Sequence, residues 1–148
     1  TVFDNLFMIL EIACSAAEAG QKALELLGDF GLLPVKDSKA YQLSGGEKRR
    51  LEIARSMIMA PRFLFLDEPF TGIDPITIMD IQKIILKLKA RGIGIIITDH
   101  NVKDTFFITD LAYIIHKGRI LSSGTPAEVV MEEETRQVFL GKDFEWNG

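Results

Sequence analysis

The stretch Phe63, Leu64, Phe65, Leu66, Asp67, Glu68, Pro69 decides the fold. Its apolar run is of the kind found in strands buried on both faces, and it stops abruptly at two acids and a proline. Ile93 to Thr98 repeats the design and ends in Asp99 and His100. Between the two runs, Asp74 and Pro75 suit the N-cap and first position of a helix. Ile78, Ile81, Ile85 and Leu88 give that helix a single apolar stripe. Strand, helix, strand with buried strands reads as a right-handed parallel crossover, which places the chain in the α/β class.

Upstream, the polar stretch Lys36 to Gln42 leads into Leu43, Ser44, Gly45, Gly46 and Glu47. Ser44 and Glu47 have the spacing of a capping box, predicting a helix that runs to about Met59 and is ended by Ala60 and Pro61. From Asp4 to about Phe30, residues such as Leu6, Leu10, Ala23 and Leu27 recur at helical spacing. Asp4 is the expected cap of this helical region, Gly20 its expected break and Gly31 its expected stop. Downstream, Leu111 to Ile115 and Arg119 to Ser122 flank a turn near Lys117 and Gly118, which predicts a hairpin. Thr125, Pro126, Ala127 and Glu128 open a last helix. The expected organisation is a helical part over residues 1–60 and a parallel-core part over residues 61–148.

The chain has 148 residues and a hydrophobic content of 47%, enough for one core and against disorder. A net charge of -4 provides no global basic surface, so nucleic-acid binding is not expected despite Lys48, Arg49 and Arg50. The single cysteine, Cys14, cannot form an intrachain disulfide and suits a reducing compartment. No apolar run reaches the ~20 residues that span a bilayer, and no signal-peptide pattern is present, so a soluble chain is expected. It opens in mid-pattern on Thr1, as expected of a cut sequence.

Four groups of residues carry chemistry. Gly45 and Gly46 let backbone amides approach a ligand closely, and the helix they open adds free N–H groups and a positive dipole end, together a phosphate-sized anion site. An ordinary capped surface helix reads the same way. The three cations Lys48, Arg49 and Arg50 tilt the balance, because the dipole disfavours them in the first turn unless an anion or acidic neighbour compensates. Asp67 sits at a strand end, where parallel-sheet proteins place ligand chemistry, and a carboxylate there can hold Mg²⁺ through water. Glu68 can orient or deprotonate an attacking water, although two adjacent acids also make a plain solvated loop. His100 comes beside Glu68 if the two strands are neighbours, and can then bond a terminal phosphate. Asp74 is explained by its capping role alone, and His116 is read as structural.

In order and spacing, Leu43 to Glu47, Phe63 to Pro69, Gly72 to Pro75 and Thr98 to His100 resemble the signature motif, Walker B, D-loop and H-loop of ABC ATPases. That resemblance implies a partial P-loop NTPase domain: parallel core strands, a helical subdomain, and a C-terminal hairpin and helix. It implies that Ser44, Gly45, Gly46 and Glu47 bind ATP held by the opposite subunit of a homodimer. Asp67 would serve Mg²⁺, Glu68 the attacking water, His100 the γ-phosphate, and Asp74 communication across the dimer interface. The implied partners are a second ATPase subunit and transmembrane permease subunits, on the cytoplasmic face of the inner membrane.

No Gly-x-x-x-x-Gly-Lys-Ser/Thr loop occurs in the sequence, so the resemblance implies a chain inactive by itself. Its core sheet would lack strands, leaving a parallel edge and apolar faces open.

Asp67 to Pro75, Thr98 to Lys103 and Phe139 to Phe144 are similar to the lipopolysaccharide-export members of the family. The branched-chain amino-acid importer ATPases are alike in part but typically carry Glu-His where this chain has Asp99 and His100. An SMC-like ATPase lobe and a truncated, non-catalytic product are the other readings.

Overall fold

The computed structural model describes residues 1–141 and Phe144. Lys142 and Asp143, within the stretch likened above to lipopolysaccharide-export ATPases, lie outside the described residues. The chain divides into two compact units, Thr1–Thr98 and Asp99–Gly148, and the boundary expected at residue 60 falls inside the first.

In the first unit, helix α1 spans Val2–Leu10 and α2 spans Ala16–Asp29. The cap of α1 is Thr1 and not Asp4, whose backbone N–H instead donates to Thr1 Oγ1 at 3.1 Å. The break falls before Ser15 and not at Gly20. Ser15 and Glu18 form a reciprocal capping box that starts a new helix. Gly20 lies inside α2 with open space around it, so the helix absorbs it at only its propensity cost. Gly31 ends the region as expected, with φ +64.

After two 3₁₀ turns, Leu33–Val35 and Ala40–Gln42, helix α3 runs over Gly45–Met57 from its N-cap Ser44. Strand β1 (Phe63–Asp67), helix α4 (Pro75–Ala90) and strand β2 (Gly94–Thr98) follow. β1 and β2 pair in parallel, with Phe63 opposite Gly94 and Asp67 opposite Thr98. Asp74 caps α4 and Pro75 is its first residue, as the sequence predicts. All four stripe residues, Ile78, Ile81, Ile85 and Leu88, are buried. α1 packs on α2 and α3, α3 on α4, and α4 on β2.

One expectation fails in β1. Leu64 and Leu66 are buried, but Phe63 and Phe65 are 65% and 71% exposed, so the strand is covered on one face and not on both. Ile96 of β2 is likewise exposed. Among the described residues β1 and β2 form a two-stranded sheet, and the observed packing of α4 on β2 accounts for only one layer.

In the second unit, helix α5 (Val102–Phe106) precedes the antiparallel strands β3 (Ala112–His116) and β4 (Arg119–Gly124). Lys117 and Gly118 both have positive φ, 48 and 74, the signature of a two-residue turn whose twist matches that of the strands. Helix α6 (Pro126–Met131) starts from a capping box of Thr125 and Glu128, and Val129 and Val130 join Phe106, Ala112 and Ile114 in a small core. A short helix α7 (Glu133–Thr135) runs into a π-helical turn over Arg136–Leu140.

Glu18, Glu47 and Glu128 are each held below their ordinary 4.5 by hydrogen bonds from their N-cap residues. Hydrogen bonds from Thr77 hold Asp74 below its ordinary 3.8. With folded-state values below unfolded ones, the unfolded chain binds the extra protons, so this stabilisation is complete above the ordinary values and lost as pH falls through the folded ones. The urea midpoint of the complete protein should therefore drop between about pH 5 and about pH 3, and less steeply in a Glu18→Gln, Glu128→Gln double variant. An unchanged slope in that variant would contradict the capping account.

Candidate functional site

The acid pair is placed by how β1 ends. Asp67 is the last residue of the strand, and its Oδ1 accepts a hydrogen bond from Thr98 Oγ1 directly across the ladder. The next residue, Glu68, donates its backbone N–H to Thr98 O at 2.7 Å and then turns with φ 44. A non-glycine residue in that region costs about 1–3 kcal/mol, which surrounding contacts must offset. Thr71 supplies two of them: its N–H donates to Glu68 O at 3.2 Å and its Oγ1 to Glu68 Oε2 at 3.1 Å. Arg49 supplies a third, its guanidinium reaching Glu68 O at 2.7 Å and Asp67 O at 3.2 Å. Both acids remain solvent-exposed.

The glycine pair opens α3. Ser44 N and Oγ both donate to Glu47 Oε2 at 2.8 Å, and Glu47 N donates back to Ser44 Oγ at 3.3 Å. This box consumes the Glu47 amide, while the Gly45 and Gly46 amides lie in the first turn, where no intrahelical acceptor exists. The two glycines differ in burial: Gly45 is exposed and Gly46 is buried. A Cβ on Gly46 would come within 2.1 Å of Thr77 Cγ2, and one on Gly45 within 3.3 Å of Ile73 Cγ2. Thr77 is held in turn by Asp74, whose carboxylate accepts from Thr77 N–H at 3.0 Å and from its hydroxyl at 2.5 Å. The helix-opening glycines and the stretch Gly72 to Asp74 thus form one packed junction, with Ser44, Gly45 and Asp74 on its exposed side.

For Arg49 the compensation lies within the chain. It bonds the carbonyls above and Glu52 at 2.9 Å, while Arg50 lies against Gly31. Arg49 therefore does not by itself call for an external anion.

His100 belongs to the second unit and is 69% exposed, with its Nδ1 3.8 Å from Oδ1 of Asp99, whose side chain is fully buried. That Asp99 oxygen also accepts the N–H of Asn101 at 2.8 Å. β1 and β2 are neighbours in the sheet of the first unit.

Among the described residues no group of three or more His, Cys, Asp and Glu side chains could hold a metal. The single Asp67 carboxylate, exposed at a strand end, suits Mg²⁺, which keeps several waters and takes one or two carboxylates together with substrate phosphates. The open amides beside exposed Gly45 suit phosphate oxygens.

Two site residues are given no role by the motifs. Thr98 enters only as the first residue of the stretch Thr98 to His100, and Arg49 as one of three like cations. For Thr98 the signal is its register opposite Asp67.

Residues 1–71 match the family model described as ABC transporter. Among curated relatives the chain is 48% identical over 143 residues to the lipopolysaccharide export system ATP-binding protein LptB of Acidithiobacillus ferridurans, covering 96% of this chain and 59% of that protein. The LptB of Escherichia coli strain K12 is 44% identical over 146 residues, covering 97% of this chain and 61% of that protein. The chain thus spans about three fifths of the length of these relatives. In three dimensions it is similar to an ATP-binding cassette of an ABC transporter in its ADP conformation, with TM-score 0.81 and 26% identity over 96% of this chain and 63% of that one. A dimeric cassette in a post-hydrolysis state, bound to ADP and Pi, gives TM-score 0.74 and 25% identity over 85% of this chain and 56% of that one.

The contact between Gly46 and Thr77 can be tested directly. Gly46→Ala should destabilise the complete protein by about 1–3 kcal/mol, since the added methyl meets a β-branched side chain fixed by its own hydrogen bond. Thr77→Ser removes the obstructing Cγ2 but keeps the hydroxyl, so it should recover most of the loss in a denaturation double-mutant cycle. Additive effects would show that the junction is not tight.

Proposed function

We propose that the complete protein is the ATP-hydrolysing subunit of an ABC transporter, and that the transporter exports lipopolysaccharide. The observation that carries the enzymatic part is the pinned strand end, where Asp67 and Glu68 stand exposed and side by side, fixed by Thr98, Thr71 and Arg49. The identity to LptB proteins over nearly the whole chain supports the choice of cargo.

In this reading Asp67 would hold Mg²⁺ through water, and the ion would supply positive charge to the phosphates of ATP. Glu68 orients the attacking water and accepts its proton, and His100 donates to the γ-phosphate. Ser44, Gly45, Gly46 and Glu47 form the anion site for ATP carried by a second copy of the subunit, and Asp74 faces that copy. The dimeric cassette among the structural relatives supports a homodimer. Residues 1–60 form the helical subdomain that meets transmembrane permease subunits, and residues 61–148 belong to the catalytic core. No helix among the described residues is long and apolar enough to cross a membrane, so attachment at the cytoplasmic face of the inner membrane would come from those partners.

In the complete protein, Glu68→Gln should lower ATP turnover at least about 100-fold while ATP binding persists, because the amide cannot accept the proton. Turnover near the wild-type rate in that variant would remove Glu68 from the chemistry.

A further inference from the structure

We infer that Arg49 is a positioning residue for the Glu68 carboxylate, tying the helix that opens with the glycine pair to the hydrolytic acid of the same chain. The inference rests on the proposed role of Glu68 and extends it.

The physical problem lies at the end of β1. The ladder to β2 closes with the Glu68 N–H on Thr98 O, and immediately afterwards the Glu68 backbone adopts φ 44, which L residues avoid. The Glu68 carbonyl lies beyond the last paired position of the ladder, and its donors come from elsewhere in the chain. They include the neutral Thr71 N–H at 3.2 Å and the Arg49 guanidinium at 2.7 Å. The second is shorter and charge-assisted, and so the stronger of the two. The same guanidinium nitrogen spans the preceding peptide as well, at 3.2 Å from Asp67 O. Its other terminal nitrogen is anchored on Glu52 at 2.9 Å, and the Arg49 side chain is only 24% exposed.

The carboxylate moves with this turn, because Glu68 Oε2 is held by the Thr71 hydroxyl three residues on. Without Arg49 the strained residue loses the charge-assisted donor on its carbonyl, and relaxation toward negative φ rotates the side chain away from its place beside Asp67. Arg49 touches backbone carbonyls and Glu52, so its effect on chemistry passes entirely through Glu68. Sequence alone hides this, since Lys48 and Arg50 flank Arg49 with equal charge.

The test uses steady-state ATP hydrolysis and equilibrium ATP binding by the complete protein. Arg49→Met should lower kcat by about 10- to 100-fold, the scale of a displaced catalytic group, and leave ATP affinity within about twofold. Arg49→Lys, which retains one charged donor, should recover part of kcat. A residue needed only for folding would reduce the active fraction and the melting temperature while leaving kcat per folded molecule and ATP affinity as in the wild type. Wild-type kcat in Arg49→Met, or a loss confined to ATP affinity, overturns the inference. Should Arg49→Met not fold, Arg49→Gln is read by the same criteria. Loss of turnover in Glu68→Gln together with wild-type kcat in Arg49→Met refutes Arg49 alone, whereas wild-type turnover in Glu68→Gln refutes the Glu68 reading and this inference with it.

Discussion

The hydrogen bond from Glu68 N–H to Thr98 O, at 2.7 Å, closes the ladder between two parallel strands one residue beyond the last paired position. It fixes where the strand stops being a strand. Because side chains alternate along a strand, a register shift of one residue would send Asp67 to the opposite face and separate it from Thr98. The left-handed turn at Glu68 then breaks the alternation, so the two adjacent acids are presented by different backbone geometries. The proposed division of labour between them, with one carboxylate serving a hydrated cation and the other a water, depends on that break.

A second constraint runs through the junction of α3 and α4. Gly46 is buried against Thr77, Thr77 is bonded to Asp74, and Asp74 caps α4, so each residue has a complete structural explanation. That explanation does not compete with a role in binding. The packing that forbids a Cβ on Gly46 also brings the amides of one helix start within reach of the capped start of another, leaving Ser44, Gly45 and Asp74 together on the exposed side. A site assembled from two helix starts needs such a fixed junction, since neither start alone defines a direction of approach.

Much of this was legible in the sequence because the relevant signals are local. Asp74 before Pro75, the stripe Ile78 to Leu88, Ser44 with Glu47, and the turn at Lys117 and Gly118 each depend on residues within a few positions of one another, and each is found where expected. The failures have the same origin. Gly20 looked like a helix break because propensity is judged residue by residue, yet the capping box of Ser15 and Glu18 dictated the boundary. The apolar run Phe63 to Leu66 specifies a strand but not how many layers cover it, so exposed Phe63 and Phe65 could not be foreseen from the run itself. Contacts distant in sequence, such as Arg49 with Glu68 and Thr98 with Asp67, leave no periodic trace at all.

The cations of α3 show how a local rule can be met within the chain. Positive charge near a helix N-terminus is unfavourable by a few tenths of a kcal/mol to about 1 kcal/mol at an exposed position. Three cations in succession therefore call for an anion or an acidic neighbour. For Arg49 the compensation is internal: two carbonyl oxygens at a strand end and the Glu52 carboxylate one turn along. The bonds to the two carbonyls are charge-assisted and the Glu52 pair adds a contribution of the exposed kind, so the dipole's disfavour is met within the chain. The case for a phosphate at Gly45 and Gly46 accordingly rests on the open amides and the packed junction, with charge as a secondary contribution. Lys48, exposed and free of those duties, is the cation of the three best placed to add to it.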